Sequence, residues 1–336
     1  MNAQVLSWIA LWGAAALYAI AMVASSIHLS RVADAKAAAK GKVAAAVGAP
    51  RAGEPSAVST NASADHPVTV RSKATGIARS TTLVGAALNG IGVIARGIEA
   101  GHVPWSTMYE YTITGTFVAV AVFLIVQSRR EVSYLAPGVT GFATLALGIG
   151  MTVLYEQSTG LEPALQSFWL IIHVSIAIIA TGIFVVGAVA TVLQLMRDYR
   201  GEELGATEGS VGLMARWRHA NVRTLKRWNW LEGVPSPGVL EGLAFRLHAV
   251  GFVLWTFTVM AGAVWAEHVW GRYWGWDPKE VWSFVIWVVY AAYLHARTTQ
   301  GWAGRRSAVL ALIGFVTLIL NFTVVNVYFQ GLHSYA

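Results

Sequence analysis

The chain has 336 residues, of which 56% are hydrophobic and 12% are charged, and its mean hydropathy is +0.54. This composition excludes a soluble globular domain and indicates an all-α polytopic membrane protein. The formal net charge of +7 does not indicate a nucleic-acid partner, because the basic residues lie in a few loops between apolar segments, where membrane topology explains them. The chain has no cysteine, which excludes disulfides, thiolate-bound metals and thiol redox chemistry of its own.

Eight segments are apolar over roughly the 20 residues that hydrocarbon requires, and they are predicted to be transmembrane helices. They cover approximately residues 5–29, 77–98, 109–126, 132–155, 166–196, 243–266, 281–296 and 307–329. The first segment is interpreted as a true span, residues 1–29, rather than as a cleaved signal peptide. No Lys or Arg precedes it, and it is long for the apolar region of such a peptide.

The distribution of Lys and Arg predicts the orientation of these spans. Twenty of the twenty-four basic residues lie in the segments 30–80, 127–131, 197–242 and 297–306. By the positive-inside rule these segments face the cytoplasm. We therefore expect a plasma-membrane protein with both termini and the loop 266–280 on the extracytoplasmic side, which is the active face.

Two of the cytoplasmic segments differ in character. Residues 30–76 are predicted to be a flexible Ala-rich tether, because their composition lacks the apolar periodicity needed to bury a core. The loop 197–242 fits either a basic amphipathic segment lying on the membrane lipids or a solvated connector. It carries three tryptophans among its basic residues, Trp217, Trp228 and Trp230. Residues 77–336 form the remaining seven-helix domain.

The most unusual feature is the density of tryptophan, because six of the fifteen tryptophans lie between residues 265 and 287. Gly271 and Gly275 allow the backbone of this segment to bend and to approach a ligand closely. An aromatic belt at the membrane interface is the alternative explanation, but belts scatter across helix ends, whereas these residues concentrate in one loop. We therefore predict a binding platform in the outer loop 266–280, formed by Trp270, Trp274 and Trp276.

The same loop ends in a helix start signal. Asp277, Pro278 and Glu280 occupy the N-cap, first and third positions of the seventh span, which is the pattern of a capping box. We therefore favour a structural role for Asp277 over metal ligation or proton transfer, although its place among the tryptophans keeps it among the candidate ligand-binding residues.

Two histidines are predicted to lie near this platform. His173 is near the outer end of the fifth span, and His333 follows the outer end of the eighth. If the guest carries iron, imidazoles from two helix ends are suited to bind it from opposite faces. Each residue also has an ordinary explanation, as a satisfied helix histidine and as an exposed tail residue.

His295 ends the seventh span, roughly 26 Å below the outer surface at about 1.5 Å per residue. It is a candidate metal ligand for a second, inner site, and it is equally well explained as a histidine at a helix C-terminus. His248 and His28 lie at similar depth and are candidate partners, although packing explains each of them better. Spacing suggests no partner for the other four histidines, His66, His102, His219 and His268.

The run WGRYWGWDPKEVW at 270–282 resembles the signature of the cytochrome c assembly family of the CcsA or ResC type. The resemblance includes His295, the closing GLHSY at 331–335 and the segment from Pro104 to Glu110, and it covers the chain from about residue 80 onward. The first span and its tether are similar to the longer actinobacterial members, often called CcsB. The insertion at 200–240 departs from the shorter relatives.

This resemblance implies a haem-handling subunit of the system II cytochrome c synthase. In that family the tryptophan-rich loop holds haem b on the outer face between two histidines, which correspond to His173 and His333. A membrane histidine, matching His295, is implied to bind haem on its way from the cytoplasm, with the opposite ligand supplied by a ResB-type partner subunit. The implied reaction is that of a holocytochrome c synthase, in which haem is attached to the CxxCH cysteines of apocytochrome c, kept reduced by a thiol-reducing protein.

Two other functions compete with this hypothesis. A haem exporter without ligase activity requires the same sites but no dock for apocytochrome. A b-type electron-transfer cytochrome requires paired histidines on facing helices, and only a loose pairing near the inner leaflet is visible. Tyr109 and Glu110 are expected either to shape the outer chamber or simply to pack.

Overall fold

The computed structural model describes residues 2–47, 72–158, 161, 165–206, 228–299 and 301–333. These residues form helices joined by turns, without a strand in the described ranges. Seven of the helices are long and apolar enough to cross a membrane. The protein is therefore an all-α, multi-pass membrane protein, as its composition predicted.

The described residues contain nine α-helices. They are α1 (Ala3–Val47), α2 (Lys73–Ala100), α3 (Met108–Arg129), α4 (Ala136–Thr152), α5 (Phe168–Ala206), α6 (Pro237–Trp270), α7 (Pro278–Thr299), α8 (Arg305–Phe322) and the short α9 (Val324–Tyr328). Short 3₁₀ helices precede α4 (Ser133–Leu135) and α6 (Asn229–Gly233).

The eight predicted spans correspond to α1 through α8. Helix α7, the predicted seventh span, is not among the seven helices that meet the criteria of length and apolarity. Its 22 residues include Lys279, Glu280 and Arg297, which lower its mean apolarity. Seven of the eight predicted spans within the described residues therefore meet both criteria, and α7 packs against α6 and α8.

The first helix corrects one predicted boundary. Residues 30–47, predicted as the beginning of a flexible tether, continue α1 without a break, and residues 73–76 belong to α2. Alanine has the highest helix propensity of all residues, so an Ala-rich segment without proline favours continuation of the preceding helix. The rest of the predicted tether, residues 48–71, lies outside the described residues.

The part of the predicted loop 197–242 that follows residue 227 packs against the helices. Leu231 and Val234 are fully buried, and Glu232 pairs with Arg197 and Arg200 near the C-terminal end of α5. This part of the loop is therefore neither a segment lying on lipid nor a solvated connector. Residues 207–227, including Trp217, lie outside the described residues.

Gly233 brings the 3₁₀ helix into direct contact with α1. A Cβ atom at this position would lie 2.6 Å from the Leu29 carbonyl oxygen. We expect Gly233→Ala to cost about 1–3 kcal/mol of stability, as overpacking generally does. The midpoint of thermal unfolding in detergent measures this effect.

Gly242→Ala is the matched control for that substitution. A Cβ at Gly242 meets no atom within 4 Å, and alanine is favoured over glycine inside a helix by about 0.5–1 kcal/mol. We therefore expect this control to be neutral or stabilising. Equal effects of the two substitutions would contradict the close contact between the loop and α1.

The helices pack around two main apolar cores. The first joins α1, α2, α3 and α4 with the inner parts of α5 and α6, and the second joins α5 to α8 around Phe184 and Tyr290. A small third cluster contains Leu165, Leu170 and Trp265. It lies at the end of the helices that carries the loop 266–280, which we call the outer end. This arrangement leaves a space between the two cores at the outer end of the helices.

Candidate functional site: an outer chamber with two histidines

A chamber of about 480 Å³ occupies this space between the outer parts of α3 to α8. Trp105 and Trp274 line its outer part, and Val185 and Leu318 line its deep part. Val185 follows His173 by twelve residues on α5, so the chamber extends roughly 18 Å along that helix at 1.5 Å per residue. It is long and mostly apolar, which suits a large hydrophobic guest.

Both predicted outer histidines line this chamber and contact the same indole ring. The centroid of Trp265 lies 6.1 Å from that of His173, with nearly parallel planes, and 5.4 Å from that of His333. Trp265 is only 1% exposed. Trp265 belongs to the tryptophan-rich stretch 265–287, but the sequence pattern predicted no particular role for it. Its position about one and a half turns before Trp270 on α6 is the signal that could have identified it.

The orientation of His173 is set by α6. Its Nδ1 lies 2.8 Å from the Thr258 carbonyl oxygen, so Nδ1 carries the proton and donates it. The ring can come this close because Gly262 has no side chain, and a Cβ there would lie 2.7 Å from Cε1. The Nε2 atom has no hydrogen-bond partner among the described residues, so its lone pair is available to a ligand.

The orientation of His333 is set in the same way by Asp277. Its Nδ1 lies 2.8 Å from Asp277 Oδ1, while Asp277 Oδ2 accepts a 2.6 Å hydrogen bond from the backbone N–H of Leu332. Burial alone would raise the pKa of Asp277, but the hydrogen bonds and charge of His333 and the N–H groups of Lys279 and Leu332 hold that pKa below its usual value. The carboxylate therefore ties the C-terminal segment to the start of α7.

The predicted capping box is present. Glu280 Oε2 accepts hydrogen bonds from the N–H groups of Asp277, at 3.1 Å, and Gly275, at 2.7 Å, while Asp277 Oδ1 accepts from Lys279 N. Asp277 thus caps the helix and holds His333 at once. The sequence pattern indicated the first role, and the tertiary structure adds the second.

The three tryptophans predicted as one platform are placed differently from one another. Trp274 lines the chamber, whereas Trp270 packs on the rings of His333 and Trp265 at 5.0 and 4.8 Å. Trp276 is 78% exposed and touches only the edge of Trp274 among the aromatic rings described. The three tryptophans therefore do not form the single platform that was predicted. Trp276, at a φ of 59°, lies outside the chamber because the loop turns there.

The predicted inner histidines do not come together within the described residues. His295 is exposed on α7 and does not line the chamber, while His248 is fully buried with Nε2 3.1 Å from the Thr191 hydroxyl. His28 contacts the Thr75 hydroxyl at the start of α2. An inner haem site within this chain therefore has no pair of ligands in the described part of the structure.

The outer mouth of the chamber is held by a buried ion pair. Arg96 Nε donates to Glu110 Oε1 at 3.0 Å, and the two residues are 1% and 0% exposed. Glu110 Oε2 accepts hydrogen bonds from both the N–H and the hydroxyl of Ser106, which lines the chamber. Glu110 therefore shapes the chamber through Ser106.

Removing the charge of Asp277 tests the tie between the tail and α7. Asparagine caps helices as well as aspartate does, but it offers a single acceptor oxygen to the groups that Asp277 serves. We expect Asp277→Asn to weaken the bond to His333 or Leu332 by about 1.5–3 kcal/mol. Faster hydrogen exchange at the Leu332 amide measures this loss. Glu267→Gln, on the exposed end of α6, is the control, and equal exchange in both variants would contradict the tie.

Comparison with known proteins identifies the family of the chain. The family model described as cytochrome C assembly protein matches residues 105–333. The CcsA cytochrome c biogenesis protein of Microcystis aeruginosa is 36% identical over 292 residues, covering 78% of this chain and 86% of the relative. Those of Prochlorococcus marinus and Mesostigma viride are each 33% identical, covering 73% and 71% of this chain and 79% of each relative. The chain therefore belongs to the cytochrome c assembly protein family, as a member of its CcsA group.

Proposed function

We propose that this protein serves cytochrome c maturation by holding haem b in the outer chamber and presenting it to apocytochrome c for covalent attachment. In this proposal, His173 and His333 bind the iron from opposite sides. Haem is the substrate, and the protein acts as the haem-handling subunit of a holocytochrome c synthase.

The observation that carries the proposal is the orientation of the two histidines. Each ring has Nδ1 committed to an oxygen of the protein and Nε2 without a partner among the described residues. A histidine that binds a metal commonly donates its other N–H to a carboxylate or a carbonyl, which fixes the tautomer and the ring orientation. Asp277 and the Thr258 carbonyl supply these two acceptors.

The apolar chamber supports haem as the guest, and the absence of cysteine supports thiols that come from the substrate. In the proposed reaction each cysteine S–H of the CxxCH segment adds across one haem vinyl group. A C–S bond forms, the vinyl double bond becomes a single bond, and the proton ends on the neighbouring carbon. No oxidant is consumed, so the protein contributes by positioning the reacting groups.

The exposure of His295 supports a site shared with another chain. We propose that haem enters from the cytoplasmic side and binds His295 together with a ligand from a ResB-type partner subunit, before it moves to the outer chamber. A histidine on the outside of this chain is suited to such a shared site. The other proposed partners are apocytochrome c, a thiol-reducing protein and membrane lipids.

Reconstitution tests the proposed function. The purified chain is placed in vesicles with its partner subunit, haem and reduced apocytochrome c, and covalent haem is measured after denaturation. We expect thioether-bound haem that depends on the chain. Haem delivered to the outer face without thioether formation would instead identify an exporter, and haem reduced and oxidised without transfer would identify a b-type cytochrome.

A further inference from the structure

The wall of the chamber that α7 and α8 form carries a polar cluster made of three side chains. Lys279 and Glu280 belong to the first turn of α7, and Asn321 belongs to the last turn of α8. All three line the chamber, beside His333. Lys279 Nζ donates to the Asn321 carbonyl oxygen at 2.7 Å, so one of the three ammonium protons has this partner.

Two oxygen atoms of this cluster are buried without a hydrogen-bond donor among the described residues. They are Glu280 Oε1 and Asn321 Oδ1. The carboxylate of Glu280 has little freedom to turn, because its other oxygen accepts from Gly275 N and Asp277 N. Asn321 is only 8% exposed. Buried acceptors without partners are costly, and they commonly mark the place of a ligand or an ordered water.

The hydrogen-bond donors and acceptors of the cluster determine which ligand group can bind there. A ligand must accept a hydrogen bond from Lys279 and donate one to Glu280 or Asn321. A protonated carboxyl group does both, through its carbonyl oxygen and its hydroxyl. The positive charge of Lys279 already interacts with the carboxylate of Asp277. An apolar chamber disfavours an additional negative charge, so the neutral acid is favoured over the carboxylate.

We propose that Lys279, Glu280 and Asn321 form the subsite for one propionic acid group of the tetrapyrrole held in the chamber. This inference rests on the proposed function. The two propionates of haem b lie on one side of the ring and the two vinyl groups on adjacent pyrroles away from them. Anchoring a propionate at α7 and α8 therefore directs the vinyl groups away from these helices, which makes Lys279 a positioning residue for the attachment reaction.

Affinity measurements with three ferric porphyrins test the subsite. The purified full chain is titrated with haem b, with its dimethyl ester and with mesohaem, which has ethyl groups in place of vinyls, and binding is followed in the visible spectrum. We expect haem b and mesohaem to bind equally. We expect the dimethyl ester to bind at least about tenfold more weakly, as the loss of a hydrogen bond to a charged group predicts.

Substitution of Lys279 completes the test. The ester has no hydroxyl to donate to Glu280 or Asn321 and is therefore not held in the cluster. We expect Lys279→Met to bind the ester as the wild type does and to lose most of the preference for haem b. Arg272→Met is the matched control, because Arg272 is an exposed cation of the same loop, and it should keep the full preference. Asn321→Leu provides a second variant with the same expected loss if Lys279→Met does not fold.

The outcomes separate the two proposals. A wild type that does not distinguish haem b from its ester, or a folded Lys279→Met variant with an unchanged preference, would overturn the subsite while leaving haem binding intact. A wild type that binds none of the three porphyrins would overturn the proposed function itself.

Discussion

Replacing His173 or His333 with alanine should lower the affinity for haem by at least about 100-fold, the upper end of what loss of an outer-shell partner costs a metal site. The reason is geometric: each ring is held at Nδ1 by the protein and presents Nε2 to the chamber. The measurement is a haem titration of the purified protein, followed by its absorption spectrum. Added imidazole should partly restore binding, because it fills the space of the missing ring and supplies the same nitrogen.

His268→Ala is the matched control for these two variants. His268 lies at the outer end of α6, near the chamber, but its side chain is half exposed and pairs with Glu267. We expect its haem spectrum to match that of the wild type. Unchanged spectra in both the His173 and the His333 variants would remove the assignment of the iron ligands.

Replacing Arg96 with methionine should destabilise the protein by about 3–5 kcal/mol, the usual cost of leaving one partner of a buried ion pair without the other. Arg96 holds Glu110 and also donates to the Glu156 carbonyl oxygen at 3.0 Å, so it joins two outer loops. The unfolding midpoint in detergent measures this loss. The loop that carries Trp105 and Ser106 should loosen at the same time, which hydrogen exchange detects.

A double replacement separates the charge from the packing. Arg96→Met combined with Glu110→Met removes both charges, and we expect it to be more stable than Arg96→Met alone, because no buried carboxylate is left without a counter-ion. Arg129→Met, at the exposed end of α3, should change stability by no more than about 0.5 kcal/mol. A double variant less stable than Arg96→Met would contradict the ion-pair explanation.

The two proposed haem sites differ in what this chain contributes. The outer chamber contains both candidate ligands, their hydrogen-bond acceptors and a polar cluster on one wall. The inner site contains His295 alone among the described residues, on an exposed helix face. We therefore expect the purified chain to bind haem at the outer site by itself, and to bind it at the inner site only together with the partner subunit.

Several features could be predicted from local sequence. The membrane-spanning class follows from composition, and the helix positions follow from runs of apolar residues, because hydrocarbon forces the backbone to satisfy its hydrogen bonds within each segment. The cap at Asp277, Pro278 and Glu280 follows from spacing, since its partners are separated by three residues or fewer. The family was predicted from the tryptophan-rich run and is shown by the comparisons.

Other features depend on contacts between distant parts of the chain. The acceptor for His173 lies 85 residues away and that for His333 lies 56 residues away, and neither spacing has a sequence signature. Trp276 and Trp270 are the same residue type in the same loop, so the sequence does not distinguish them. The turn of the loop places Trp276 outside the chamber. The Ala-rich composition of residues 30–47 predicts a flexible tether, whereas the structure continues α1 to Val47. Gly233 and Leu231 pack against part of that helix, and a contact of this kind has no signature in the local sequence.

The sequence by itself therefore determined that this chain is a helical membrane protein of the cytochrome c assembly family, with a tryptophan-rich loop and two histidines near one end of the helices. Only the tertiary structure decided which nitrogen of each histidine faces the chamber, that Trp265 lies against both rings, and that Lys279 and Asn321 meet on one wall. The physical reason is that hydropathy and capping act between neighbouring residues, whereas the rotation of each helix is set by packing against helices that are remote in sequence.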